Sequence, residues 1–262
     1  MICKTVSSLF TGYWQENMNA ELAILAVIVL LANVVGAATG FGGSMITVTL
    51  AVHLYSLEFL VPIVVLLNLV ISIYIVVRHR SGIDGKLLFK QILPFTAIGL
   101  PLGIILFSVV KSGTLKLALG AFVVCFSAFE LVVLFRSGKD ELRKPLTPAH
   151  SAFWLFTGGV MQGMYASGGP LVVYYAGRNI PDKKVFRSTL SALWLLLNTV
   201  LLITYLATGK LTLEMARYFV VLLPFLAIGV AIGERVHNAL PERTFRIMTF
   251  AILLLTGISV FI

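Results

Sequence analysis

Leu93-Pro-Phe-Thr-Ala-Ile-Gly-Leu-Pro-Leu-Gly103 is an apolar stretch that the chain uses twice. At an offset of 130 it returns as Leu223-Pro-Phe-Leu-Ala-Ile-Gly-Val-Ala-Ile-Gly233, with seven identities in eleven positions. The offset is close to half of the 262-residue length, and it also carries Asn68 onto Asn198, each a lone amide inside an apolar run. At an offset of 126, Gly40-Phe-Gly-Gly-Ser44 falls on Ala166-Ser-Gly-Gly-Pro170, so four residues have been inserted between the two markers. Repeats decide architecture. The chain divides into a polar leader, 1–19, two homologous halves, 20–135 and 148–262, and a connector, 136–147. The connector carries Arg136, Lys139, Asp140, Glu141, Arg143, Lys144 and Pro145, and it is the one strongly polar stretch between the halves.

Composition fixes the solvent. Hydrophobic residues make up 59% of the chain and charged residues 12%, with a mean hydropathy of +1.00. Soluble chains carry about twice that charge. Apolar runs at 57–77, 92–110, 115–135, 185–207 and 245–262 are each long enough to cross ~30 Å of hydrocarbon. The reading is an all-α integral membrane protein. The leader has no small-residue cleavage site before the first apolar run, so no removable signal peptide is expected. Cys3 and Cys125 lie in unlike surroundings and give no disulfide or metal pattern. The net charge of +9 sits in short loops between spans, which fits membrane anchoring and not nucleic-acid binding.

Each half begins with a segment broken at its Gly-Gly motif and continues with three unbroken spans. If the broken segments cross once, the lysines and arginines divide 11 to 9 between the two faces. If each turns back at its glycines, one face collects fifteen, from Arg78 to Arg246, and the other keeps Lys4, Lys111, Lys116, Lys210 and Arg217. Fifteen against five is the bias of the positive-inside rule. The expected architecture is therefore two inverted halves, each a glycine-broken re-entrant or hairpin helix pair followed by three transmembrane helices. Both termini lie outside a bacterial-type inner membrane. Inverted repeats mark transporters. The arms are expected at 22–39 and 45–54, and at 148–165 and 171–180; helix rise leaves open whether the tips stop at midplane or nearly cross.

Non-helical backbone inside a bilayer must be satisfied by protein or by a water-filled cavity. Two equivalent breaks, Thr39-Gly-Phe-Gly-Gly-Ser44 and Gln162-Gly-Met-Tyr-Ala-Ser-Gly-Gly-Pro170, therefore point to one shared site. The short arm after each tip starts a helix, with Pro170 at a favoured first position. N–H groups and the positive end of the dipole there receive anions without an arginine. The candidate substrate-binding residues are Thr39, Gly40, Gly42, Gly43, Ser44, Asn68, Gln162, Tyr165, Ser167, Gly168, Gly169 and Asn198. Two competing roles stand beside this one: the glycines as tight helix contacts, and Asn68 and Asn198 as a helix-to-helix hydrogen bond.

Gly36-Ala-Ala-Thr-Gly-Phe-Gly-Gly-Ser44 and Gly158-Gly-Val-Met-Gln-Gly-Met-Tyr-Ala-Ser-Gly-Gly-Pro170 resemble the paired signatures of the TauE/SafE family of sulfite and organosulfonate exporters. The resemblance runs from about residue 20 to the end of the chain and includes the duplicated layout and the polar connector. It implies transport of small sulfur oxyanions such as sulfite, thiosulfate or sulfonates. Ser167 stands in the second tip where many relatives carry glycine, which bears on substrate shape.

The remaining polar residues have simpler readings. His53 and Glu58 flank the exit of the first short arm. Glu130, inside 115–135, reads either as a partner of Arg136 or as an ionisable group serving transport. Lys183, Lys184 and Arg187 either draw anions to the mouth or anchor the membrane face. Tyr13, Trp14, Trp154, Tyr174, Tyr175 and Tyr218 sit where interfacial belts form. No nucleophile–base pair, metal cluster or nucleotide loop is visible, since Gly40-Phe-Gly-Gly lacks the lysine of a phosphate loop. Neither an enzyme nor a cofactor is expected; the expected partners are a small anion and the lipid bilayer, with no nucleic acid. A passive anion channel, or a transporter of another small anion, is the alternative. Single cysteines at Gly82, Gly138 and Asp182 in a background without Cys3 and Cys125 should all resist an impermeant thiol reagent added outside intact cells. Labelling at Asp182 would restore the single-crossing topology.

Overall fold

The computed structural model describes residues 20–136, 146–180, 182–239 and 242–261. The leader 1–19 and the connector residues Lys139 to Pro145 lie outside them, as do Cys3, Lys4, Tyr13 and Trp14. The described chain is all-helical. Its helices are α1 Ala20–Thr39, α2 Gly43–Ala51, α3 Leu57–Arg78, α4 Gly85–Val109 and α5 Ser112–Arg136, then α6 Pro148–Tyr165, α7 Gly169–Asn179, α8 Lys183–Ala207, α9 Leu213–Ala239 and α10 Glu242–Ser259. Each half is thus a helical hairpin followed by three helices. Six helices, α1, α3, α4, α5, α8 and α9, are long and apolar enough to cross a membrane.

Local chemistry sets the helix ends. Asp182 caps α8 by accepting from Lys184 N and Val185 N, both at 2.9 Å. Asp84 accepts from Leu87 N at 2.9 Å to start α4. Inside α4 the turn Leu88–Ile92 widens to a π-helix just before Pro94. Proline has no N–H and its ring crowds the carbonyl four residues back, which a π-turn relieves. Thr147 and Pro148 open α6, with Thr147 accepting from the His150 N–H.

Packing ties each hairpin to the opposite half. The two markers of the sequence repeat turn out to be the contact surfaces. A Cβ at Gly99 or Gly103 on α4 would lie 2.2 Å from Phe156 O or 2.1 Å from Val160 O on α6. A Cβ at Gly229 or Gly233 on α9 would lie 2.6 Å from Leu30 O or 2.5 Å from Val34 O on α1. Register rises together in both pairs, so each runs parallel. Lipid supplies no hydrophobic force between helices, so this close backbone approach and its van der Waals contact hold the hairpins. Tight packing holds at the tips as well, where a Cβ on Gly43 would lie 2.9 Å from Ala32 O and one on Gly168 2.2 Å from Gly158 O.

The centre is formed by α3 and α8, which run antiparallel: Asp84 N, just beyond α3, donates to Thr189 Oγ1 at 2.9 Å near the start of α8. At that end Arg187, Glu234, Tyr74 and His79 gather. At the opposite end Ser112 donates to Glu58 at 3.1 Å, and Lys210 stands 6.0 Å over the Phe107 ring. Gly103→Val and Gly233→Val should each cost at least the upper end of the ~1–3 kcal/mol typical of overpacking. Gly113→Ala, where a Cβ meets open space, should be neutral. Melting temperatures in detergent check this; equal losses at all three sites would contradict it.

Candidate functional site

The two tips end and restart their helices in the same way. At the first, Gly40 N donates to Gly36 O at 2.8 Å; at the second, Ala166 N donates to Gln162 O at 2.9 Å. Gly40 takes φ 81° and Ala166 φ 50°, the left-handed turn that stops each long arm. Alanine there carries roughly 1–2 kcal/mol of steric cost that glycine avoids. Each short arm restarts with a matched bond, Ile46 N to Gly42 O at 2.9 Å and Val172 N to Gly168 O at 3.4 Å. These four bonds fall on pairs related by the 126-residue offset.

The restarts meet. A Cβ on Gly169 would lie 3.4 Å from Phe41 Cβ and 3.8 Å from Gly42 N, and Ser44 Oγ is 3.5 Å from Ser167 Oγ. The N-termini of α2 and α7 therefore converge, each with orphan N–H groups in its first turn. Tyr165 OH donates at 2.9 Å to Leu115 O in the first turn of α5, while Gly40 in the first tip packs on Arg187 near the start of α8.

Beside the tips lies a recess open on one side, walled by both tips, α1, α3 and α8. Of the residues singled out from sequence, Gly40, Gly42, Gly43, Ser44, Asn68, Gln162, Gly169 and Asn198 line it. Four do not. The Thr39 side chain lies outside the described residues. Tyr165 is turned away to Leu115, Ser167 is buried behind the first tip, and the Gly168 N–H is taken by Gln162 Oε1 at 2.9 Å. Asn33, Gly36, Phe41, Ile71, Ser72, Ile75, Ala166, Ser191 and Trp194 complete the lining and were not among the candidates. Asn68, Ser72 and Ile75 share one face of α3, and Ser191, Trp194 and Asn198 one face of α8, a helical spacing that could have found them. None of the lining residues is charged.

The polarity of the donors runs one way. A backbone N–H can only donate, so Gly168 N requires the oxygen of Gln162. The Gln162 Nε2 then faces Asn198 and meets Oδ1, at 2.9 Å. This leaves Asn198 Nδ2, on a fully buried residue, with no partner. A buried donor without an acceptor costs about 1–3 kcal/mol. On the other wall Asn68 Nδ2 reaches Ala166 O at 3.5 Å and Trp194 Nε1 reaches Gly40 O at 3.3 Å, so each tip carbonyl is held by a central helix of the other half. The recess thus offers a spare amide donor and two helix N-termini, a set suited to a small anion.

The other candidates stand apart. His53 is exposed beyond α2, 3.3 Å from Ser259 Oγ; burial first and Lys116 second hold its imidazole below the ordinary range. Glu130 is fully buried on α5. Lys183 and Lys184 are exposed, but Arg187 is buried and paired with Glu234, so the three are not one surface cluster.

Among the described residues, ten helices with two meeting, glycine-broken hairpins define a multi-pass membrane protein. The model of the sulfite exporter TauE/SafE family matches residues 25–260, and the chain belongs to that family, whose members are membrane transporters of sulfite or related anions. No curated protein and no solved structure matches it. A Cβ at Gly168 would lie 2.2 Å from Gly158 O. Gly168→Ala should therefore abolish accumulation of folded protein, whereas Gly169→Ala, which meets ordinary contacts, should fold with a melting temperature within a few degrees of wild type. Size-exclusion profiles and melting curves read both; a well-folded Gly168→Ala protein would contradict the geometry.

Proposed function

We propose that the protein exports sulfite or a small organosulfonate across the plasma membrane. The anion is held between the two glycine tips, and access alternates around them. The observation that carries this reading is the unpaired Asn198 Nδ2 beside two converging helix starts. A sulfur oxyanion presents several acceptor oxygens and can take a side-chain amide and backbone N–H groups of both tips together. Chloride has one centre and satisfies fewer of them.

The donors are neutral, which suits a carrier. A fully desolvated arginine in the recess would hold an anion tightly, whereas amide and N–H donors of about 0.5–1.5 kcal/mol each allow release. What supports an inverted arrangement of the halves is the antiparallel course of α3 and α8, together with the gathering of Arg187 and the nearby Lys183, Lys184 and Arg78 at one end. In this reading that end is cytoplasmic and both termini are outside. Ser44 and Ser167 act through the contact between tips, and Gln162 acts by aiming Asn198.

Efflux of sulfite and isethionate from cells expressing the wild type should exceed that from empty cells. Asn198→Ala should reduce it by about tenfold, the equivalent of ~1.4 kcal/mol of lost binding, and Gln162→Ala should reduce it by a similar factor because Gly168 N and Asn198 both lose their partner. Wild-type cells that export neither compound, with proteoliposomes that conduct chloride freely, would replace the exporter by a channel.

A further inference from the structure

Arg187 continues the lined face of α8 beyond the recess. Arg187, Ser191, Trp194 and Asn198 recur at helical spacing, and the last three line the recess. Arg187 lies ~16 Å from Asn198 by helix rise, at the end where α8 begins. It is 6% exposed. Its aliphatic stem forms the floor under the first tip, since a Cβ on Gly40 would stand 3.3 Å from Arg187 Cγ.

The guanidinium is poorly used. Nη2 makes one contact of 3.3 Å with Glu234 Oε1, and the buried Nε has no partner. A planar fork with five N–H donors normally grips a carboxylate through two parallel bonds. The carboxylate is meanwhile held from elsewhere: Tyr74 OH donates to Oε2 at 3.1 Å, and His79 Nε2 stands 4.0 Å from Oε1. Glu234 is also the more exposed partner of the pair, 28% for its side chain against 7% for Arg187. Arg187 is buried, under-satisfied and next to the recess; Glu234 has other contacts, to Tyr74 and His79, should it leave Arg187.

We propose that Arg187 is a second anion station at the mouth of the recess, which a small oxyanion occupies by displacing Glu234 from the guanidinium while Tyr74 and His79 retain the carboxylate. The station rests on the reading of the recess as an anion site. It supplies the charged group that the recess lacks, and it limits residence because Glu234 competes for the same donors. A pyramidal or tetrahedral oxyanion can bridge Nε and Nη2, the geometry a single carboxylate contact leaves open.

Sulfite is the probe, at one pH and ionic strength, with purified protein for melting curves and proteoliposomes for radiolabelled sulfite efflux. In Glu234→Gln the competitor is removed, so sulfite should raise the melting temperature by at least twice the shift seen in wild type. The double variant Arg187→Gln, Glu234→Gln has no uncompensated buried charge. It should keep the Asn198-dependent sulfite shift while its efflux falls at least tenfold. An equal or smaller sulfite shift in Glu234→Gln, or wild-type efflux in the double variant, overturns the station and leaves an ion pair that only joins α8 to α9. Should the double variant not fold, the shift in Glu234→Gln decides alone. If sulfite stabilises neither wild type nor Glu234→Gln, and Asn198→Ala changes nothing, the recess reading itself has failed and the station falls with it.

Discussion

Backbone resting on backbone is the constraint from which the rest follows. Hairpins that break inside a membrane cannot bury themselves, and lipid gives their neighbours no reason to collapse onto them. Here each long arm is gripped by the paired glycines of a helix from the other half, α4 on α6 and α9 on α1. Because the grip is exchanged between halves, neither hairpin is placed by its own repeat. Each is placed by the partner, which brings the restarts of α2 and α7 to the same point. A side chain at any of the four glycines would push a tip away from its counterpart.

Once the tips meet, hydrogen-bond polarity does the remaining work. The Gly168 N–H orients Gln162, Gln162 orients Asn198, and Asn198, in the recess wall, is left with an unpaired donor. Asn68 and Trp194 hold the carbonyls of the two left-handed residues, Ala166 and Gly40. Each helix start adds roughly 0.3–1 kcal/mol for an anion, and more where partly buried. The sum is modest and distributed, as a site that must also let go requires. The formal charge stands one step outside, on Arg187.

Much of this was legible in the sequence because repetition exposes what a single copy hides. The 126-residue offset found both tips, and the matched bonds Gly40 N to Gly36 O and Ala166 N to Gln162 O fall on it. Pairing Asn68 with Asn198 by offset found two of the four side-chain amides that line the recess. The repeat Leu93 to Gly103 was visible as a marker, but its meaning as a contact surface was not, since a glycine's partner is a backbone atom on another helix and leaves no pattern of its own. Ser72, Ser191 and Trp194 were missed although they continue the faces of Asn68 and Asn198 at helical spacing, because neither copy of the repeat marks them. Arg187 looked like its neighbours Lys183 and Lys184; one turn of helix separates exposed from buried, and composition cannot see it. Tyr165 was placed correctly next to a tip, yet its hydroxyl faces the other way, toward Leu115.

Selenite is a heavier oxyanion of the same pyramidal shape as sulfite, and its selenium can be located by anomalous scattering. Crystals of the protein grown with selenite should show one anomalous peak within hydrogen-bonding reach of Asn198 Nδ2 and the first N–H groups of α2 and α7, and that peak should vanish in Asn198→Ala. Selenium found solely among the exposed lysines, with none between the tips, would contradict the central claim that the paired helix breaks form an anion site.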